Sequence, residues 1–175
     1  MSIELQPMTR ERMHEMYRGF SMDPAIFADM ELYEKNKNYH YNPEKVDFLF
    51  NMRNEEEGSV CFAIMLDGKV IGEVGLRHMD PATKECELSI HMQNDEVKNK
   101  GYGTEAERLA VRKAFEEYGM EHVFADSLVK NTRSQHVLEK VGFRYCSEEE
   151  GFKNYRLERK DWEATERESG ERSKR

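Results

Sequence analysis

Residues 85–118, ECELSIHMQNDEVKNKGYGTEAERLAVRKAFEEY, decide how this chain reads. From Cys86 to Met92 the residues alternate, with Cys86, Leu88, Ile90 and Met92 on one side and Glu85, Glu87, Ser89 and His91 on the other. That period predicts a half-buried strand. A short basic loop with two glycines follows, and apolar residues then return at helical spacing. The spacing predicts a helix that buries Ala106, Leu109, Ala110, Ala114, Phe115 and Tyr118 and is closed by Gly119. A glycine loop of this kind turns several backbone N–H groups toward one point, and the helix start adds partial positive charge there. Strand, loop and helix together make a phosphate-binding device.

Working upstream, Val60–Leu66 is a continuous apolar run, joined through Asp67-Gly68 to a partner strand over Val70–Met79. Asp-Gly between two such runs signals a type I′ hairpin, while Gly72 and Gly75 mark a bulge or a close backbone approach. Asp80-Pro81 turns the chain back into the 86–92 strand. Nearer the N-terminus, Ile3–Met8 reads as a strand, and Thr9 can cap a helix with Met13, Met16, Tyr17 and Phe20 on one face. Asp23-Pro24 and Asn42-Pro43 mark two further helix starts.

Downstream, Val123–Val129 predicts a strand, so strand, helix and strand imply a parallel crossover. A capped helix runs from Asn131 to Gly142 with Val137, Leu138 and Val141 apolar. Phe143–Cys146 and Phe152–Leu157 form a last hairpin about the acidic turn Glu148–Gly151. Beyond Trp162 almost nothing is apolar, which predicts a disordered tail over 163–175 and one domain over 1–162. The fold class is mixed α/β (α+β): a mostly antiparallel central sheet flanked by helices.

Composition narrows the partners. The net charge of -8 argues against a nucleic-acid partner, which needs basic patches. No apolar run reaches the ~18 residues of a membrane span, and no signal-peptide pattern opens the chain, so no membrane partner and a cytoplasmic location are expected. Cys61, Cys86 and Cys146 have no metal spacing; free thiols in a reducing compartment are expected, with no metal. Residues 21–57 hold nine acidic side chains against four basic ones, a local charge of -5. That stretch is either a solvated helical face or an entrance attracting a cationic substrate.

Two phosphate ligands compete for the loop. Gly101-Tyr102-Gly103-Thr104-Glu105-Ala106 fits the dinucleotide pattern GxGxxA, with Asp126 downstream for a ribose. A dinucleotide loop, however, turns tightly off its strand at the opening of a parallel sheet. Here Gln93–Lys100 intervenes and two antiparallel hairpins come first. The pattern Lys98-Asn99-Lys100-Gly101-Tyr102-Gly103 instead resembles the coenzyme A loop of the GNAT N-acetyltransferases, Gln/Arg-x-x-Gly-x-Gly/Ala, with Lys98 where Gln or Arg is usual. Asn131-Thr132-Arg133-Ser134 through Glu139-Lys140-Val141-Gly142-Phe143 resembles the second motif of that family, closest in form to its RimJ/RimL-type branch. The element order over Ile3–Leu157 matches as well.

The resemblance implies an N-acetyltransferase that uses acetyl-CoA as co-substrate and acetylates a small-molecule or peptide amine, cationic in character. It is compatible with a homodimer. The alternative is an acyl-CoA-binding sensor or interaction module of the same fold without turnover. By position, the pantetheine arm pairs with backbone at His91, Met92 and Gln93. The pyrophosphate rests on N–H groups from Lys98, Asn99, Lys100, Gly101, Tyr102, Gly103 and Thr104. Lys98 and Lys100 either add charge or are solvated, and Asn131 both caps its helix and contacts the pantetheine.

The implied chemistry is aminolysis of a thioester, for which the amine must be neutral. Deprotonating a lysine-like amine of pKa about 10.4 costs roughly 4.6 kcal/mol at pH 7, and an α-amino group about 1 kcal/mol. Glu87, at the family's glutamate position, is the candidate base. It could equally form a cross-strand ion pair with Arg77, which weakens a carboxylate as a base. The His91 imidazole is a further candidate. Where the family places a tyrosine as general acid this chain has Leu138, so Ser134 is the candidate substitute, unless its hydroxyl bonds to the helix backbone. The cysteines show no sign of an activated nucleophile, which implies direct attack in a ternary complex.

Overall fold

The structure, a computed structural model, describes residues 2–173. Seven strands form one sheet in the order β1-β2-β3-β4-β5-β7-β6. They are β1 (Glu4–Pro7), β2 (Val60–Leu66), β3 (Lys69–Asp80), β4 (Glu85–Met92), β5 (His122–Leu128), β6 (Arg144–Glu149) and β7 (Phe152–Glu158). Only β4 and β5 pair in parallel; every other neighbour is antiparallel. The helices are α1 (Arg10–Arg18), α2 (Met30–Asn36), α3 (Pro43–Glu55), α4 (Tyr102–Glu116), α5 (Thr132–Val141) and α6 (Arg159–Ser173).

The period of two along each strand divides the core between the two faces of the sheet. On β2, Phe62 and Ile64 join the large cluster with Ala106, Ala110 and Phe115 of α4. Their neighbours Ala63 and Met65 join a smaller cluster with Met16 of α1. Thus α1 lies against one face and α4 against the other. The Asp67-Gly68 turn has φ of +49° and +76°, as a type I′ hairpin requires. Gly72 sits beside a register shift between Ile64 and Met65, and a Cβ there would lie 2.8 Å from the His91 carbonyl oxygen. Close backbone approach is therefore what this glycine permits.

Several caps stand where the sequence places them. The Thr9 hydroxyl accepts from Arg12 N–H, and Asn42 Oδ1 accepts from the N–H groups of Glu44 and Lys45 with Pro43 at the first helical position. Asp23 caps only one 3-10 turn, Pro24–Ile26, and the helix proper begins later, at α2, under Asp29. In the last hairpin β6 continues through Glu149, because Glu150 and Gly151 (φ of +51° and +82°) make the turn alone.

The expected disordered tail is corrected over residues 163–173, which continue as α6. Trp162 stacks on Phe115 at 5.2 Å between ring centroids, and Arg159–Glu163 and Arg112–Glu166 ion pairs hold the helix at 2.9 and 3.1 Å. A polar segment needs only one apolar anchor and a few ion pairs to lie down as a helix on its neighbour. Lys174 and Arg175, the end of that expected tail, lie outside the described residues.

Candidate active site

The parallel pairing of β4 with β5 covers only Glu85–Glu87 against His122–Phe124. Past that point the strands part. The gap between them is lined by Leu88–His91, by Ala125–Leu128, by Asn131, Ser134 and Leu138, and by Glu107 of α4. A cavity of about 550 Å³ opens beside it, walled by Ser21 and Asp23, the end of β4, the 97–104 loop and one side of α5. The sequence places the last strand pair correctly, but it does not show how soon that pairing ends.

Asn99 and Gly101 are both left-handed, at φ +59° and +84°, so the backbone curls sharply just before α4. Gly101 is the N-cap of α4 and no side chain caps that helix. Glu105 N–H donates to Gly101 oxygen at 3.1 Å, which leaves the preceding N–H groups of Tyr102, Gly103 and Thr104 without intrahelical partners. Lys100 is exposed with no ion pair among the described residues.

Lys98 is engaged elsewhere. Its ammonium donates to Asp23 Oδ2 at 2.7 Å and to Asp95 Oδ1 at 2.9 Å, with its side chain 8% exposed. Burial works against ionised Asp23, yet the Lys98 ammonium and the Ala25 N–H hold its carboxyl below the usual range. Further basic side chains reach the cavity from α5, where Arg133 (3.7 Å from Asp23 Oδ2), His136 and Lys140 line the wall. Their spacing of three and four residues puts them on one helical face, which the sequence shows to a reader who looks for it.

The end of β4 sorts the three residues expected to pair with coenzyme. Gln93 N–H donates to Ile71 oxygen (2.9 Å) and its carbonyl accepts from Ser21 N–H (3.0 Å). Its side-chain NH2 group donates to the Glu15 and Met16 carbonyls at 3.1 and 3.0 Å, so Gln93 ties the end of β4 to α1 and to β3. By antiparallel alternation His91 turns its backbone toward β3 as well, while Met92 and Ile90 face the open edge.

Glu87 is the last β4 residue paired with β5 and stands at the apex of the gap. It lies directly opposite Arg77 in register, as expected. Arg77, however, donates to Glu56 at 3.4 Å, and among the described residues the Glu87 carboxylate has only His78 Nε2 at 4.0 Å with its own side chain 40% exposed. Among the described residues the alternative Arg77–Glu87 ion pair does not form, because the guanidinium reaches across to the end of α3. On the same sheet face Glu73, 3% exposed, accepts from Arg53 at 2.6 Å and from the Tyr17 hydroxyl at 3.2 Å. His91 is opposite Glu73 in register, and desolvation in this concave wall lowers its pKa although part of its ring meets solvent.

Asn131 Oδ1 accepts from Ser134 N–H at 3.2 Å, capping α5 as predicted, and its NH2 group has no partner among the described residues. Buried Gln135 donates to the Leu128 and Val129 carbonyls (both 2.9 Å), which fixes the start of α5 to the end of β5. The Ser134 hydroxyl makes no hydrogen bond to the helix backbone among the described residues, whereas Leu138 is buried and apolar. Burial pushes the Cys61 and Cys86 thiols up to about 12, the reverse of an activated nucleophile. Among the described residues no group of three or more His, Cys, Asp or Glu could hold a metal ion.

One residue was missed. Glu107 is 1% exposed, its Oε2 has no hydrogen-bond partner among the described residues, and it lines both the gap and the neighbouring cavity. Burial alone raises its pKa to about 8. The signal was present: Glu107 falls between Ala114 and Val111 on the buried arc, and a lone glutamate there reads as solvated only if the arc is drawn too narrow.

The acetyltransferase (GNAT) domain family matches residues 2–144. This chain belongs to that family. Among curated proteins no sequence relative matches. Among solved structures, a point variant of the spermidine N-acetyltransferase SpeG from Vibrio cholerae is 16% identical, with a TM-score of 0.74 over 92% of this chain and 96% of that one. The Vibrio cholerae spermidine N-acetyltransferase in complex with CoA and spermine is 14% identical, with a TM-score of 0.70 over 92% and 98%. A dodecameric form of that enzyme is 15% identical, with a TM-score of 0.69 over 92% and 96%. At these identities the likeness is one of fold, and the GNAT domain itself shares it.

Proposed function

We propose that this GNAT domain transfers an acetyl group from acetyl-CoA to a primary amine by direct attack in a ternary complex. The observation that carries the reading is the uncapped, left-handed start of α4 set beside an open edge of β4. The first suits a pyrophosphate, and the second can pair with the amides of a pantetheine arm as a further strand would. In this reading the 99–104 N–H groups and Lys100 hold the pyrophosphate, and Met92 and Ile90 pair with the arm. The Asn131 NH2 group meets the arm from the other wall. His91, Gln93 and Lys98 position the site rather than contact the coenzyme through backbone or charge.

The thioester then lies near the apex, where the polar face supplies Glu87. Its carboxylate, free of Arg77, accepts the proton of the incoming ammonium through water, and the neutral amine attacks the carbonyl carbon. The Ser134 hydroxyl, unspent on the helix, can hydrogen-bond the reacting group. A cationic acceptor is favoured by the fold neighbour that binds spermine. The acidic 21–57 stretch lends less support than its charge suggests. Asp23, Glu31, Glu34, Asp47 and Glu56 already pair with cations of the chain. The free hydroxyl of Ser134 and the Asn131–Phe143 segment support the RimJ/RimL-type branch. A homodimer is the assembly we favour, because Phe48 and Met52 of α3 are 69% and 52% exposed. Residues 1–162 form the catalytic unit, and three free thiols fit a cytoplasmic setting.

The test is an acceptor panel of spermidine, spermine, lysine and short peptides with free N-termini, followed by thiol release and by product mass. Acetylation of one class with Glu87→Gln strongly impaired is expected. Coenzyme A binding without acetylation of any amine defeats the enzyme reading and leaves the non-catalytic module.

A further inference from the structure

We infer that Glu107 is the general acid of this site, the carboxylic acid that hands a proton to the departing coenzyme thiolate; the inference rests on the acetyltransferase reading above. The geometry comes first. Glu107 sits on the second turn of α4 and is 1% exposed, yet it lines both the gap between β4 and β5 and the cavity that adjoins it. Its Oε2 has no hydrogen-bond partner among the described residues. A buried orphan oxygen costs stability, so its survival here asks for a ligand that satisfies it.

The surrounding groups leave the proton on Glu107. The titratable and charged residues sharing its walls are Glu87 and His91 of β4, Asp126 of β5, Arg133, His136 and Lys140 of α5, and the ion-paired Asp23 and Lys98 at the cavity's far side. None forms a hydrogen bond or ion pair with it, and burial alone shifts it, to about 8. That places it close to an ordinary thiol, near 8.5, so proton transfer between carboxyl and thiolate is nearly balanced in energy. Ser134 cannot be the source, because an alkoxide is far too basic; a serine passes on only a proton it receives.

The atoms balance. The acceptor ammonium gives one proton to water through Glu87, its nitrogen bonds to the acetyl carbon, and the carbon–sulfur bond breaks with its electron pair on sulfur. Glu107 protonates that sulfur. The second proton lost by nitrogen as it becomes an amide restores Glu107.

The experiment compares wild type with Glu107→Gln and Glu107→Leu, measuring kcat across pH 6–10 at saturating substrates, coenzyme A affinity by calorimetry, and melting. The expected result is a wild-type kcat that falls above about pH 8. In Glu107→Gln it is roughly 100-fold lower, with that falling limb gone and coenzyme A affinity within threefold. A Glu107→Gln enzyme with kcat within threefold of wild type overturns the inference alone. So does a variant that loses coenzyme affinity at unchanged kcat, which marks a binding role. If neither variant folds, the wild-type profile decides: no falling limb near pH 8 overturns the proposal. A wild type that acetylates nothing removes the enzyme reading and this inference together.

Discussion

At the scale of single residues, the site pairs two carboxylates in opposite environments. Glu87 is partly exposed on the polar face of β4, and Glu107 is buried on the inner face of α4 at the edge of the cavity. Two acids in environments this different can take different roles in one reaction. If Glu87 is the base, replacing it with Gln removes proton transfer but little else, since Arg77 does not depend on it. We expect kcat to fall about 100-fold in Glu87→Gln with coenzyme A affinity unchanged, read by steady-state kinetics and calorimetry. An unchanged kcat would return Glu87 to the surface. The sequence shows Glu87 plainly, because strand alternation puts it on the polar side. Glu107 escapes, because an acidic residue in a charged helix is ordinarily solvated and only packing reveals which turn is covered.

At the scale of elements, strands β2 to β5 and helices α4 and α5 are legible from period and caps, because each carries both an apolar face and a start or stop signal. What is not legible is what depends on tertiary contact. Gln93 looks available for a ligand in the sequence and is tied to the end of α1; Lys98 looks like a phosphate cation and is held by Asp23 and Asp95. The α6 helix has no apolar period and forms against Phe115 nonetheless. Gly101 offers a sharper test. A Cβ at this residue meets no atom within 4 Å, so Gly101→Ala adds only left-handed strain, about 1 kcal/mol. The same Cβ would stand where a phosphate approaches the α4 start. Coenzyme affinity should therefore fall by roughly tenfold or more, over 1.4 kcal/mol, while melting falls only by about 2–4 °C. Equal losses in both would mean the glycine serves the fold alone.

At the scale of the whole molecule, the buried acid links folding to pH. In the unfolded chain Glu107 titrates near 4.5, and in the fold near 8. The folded value is the higher, so its contribution is fully present below about 4.5 and is lost as pH rises through the window to about 8. At pH 7 the loss is about 3 kcal/mol. Glu107→Leu should therefore melt higher than wild type at pH 7–8, with the two curves converging toward pH 5. A gap that stays constant with pH would show that Glu107 does not titrate in this window.

The sheet also has a mechanical consequence. Among the described residues its two halves, β1–β4 and β5–β7, share only three strand residue pairs at Glu85–Glu87, and beyond them are joined by the common core with α4 and α5. A ligand that pairs with the free edge of β4 while touching α5 would act as a splint across that weak seam. Amide hydrogen exchange should register it: coenzyme A should slow exchange in β5 and along α5, as well as in the loop itself. Protection confined to residues 98–104 would mean that the coenzyme rests on the surface and braces nothing.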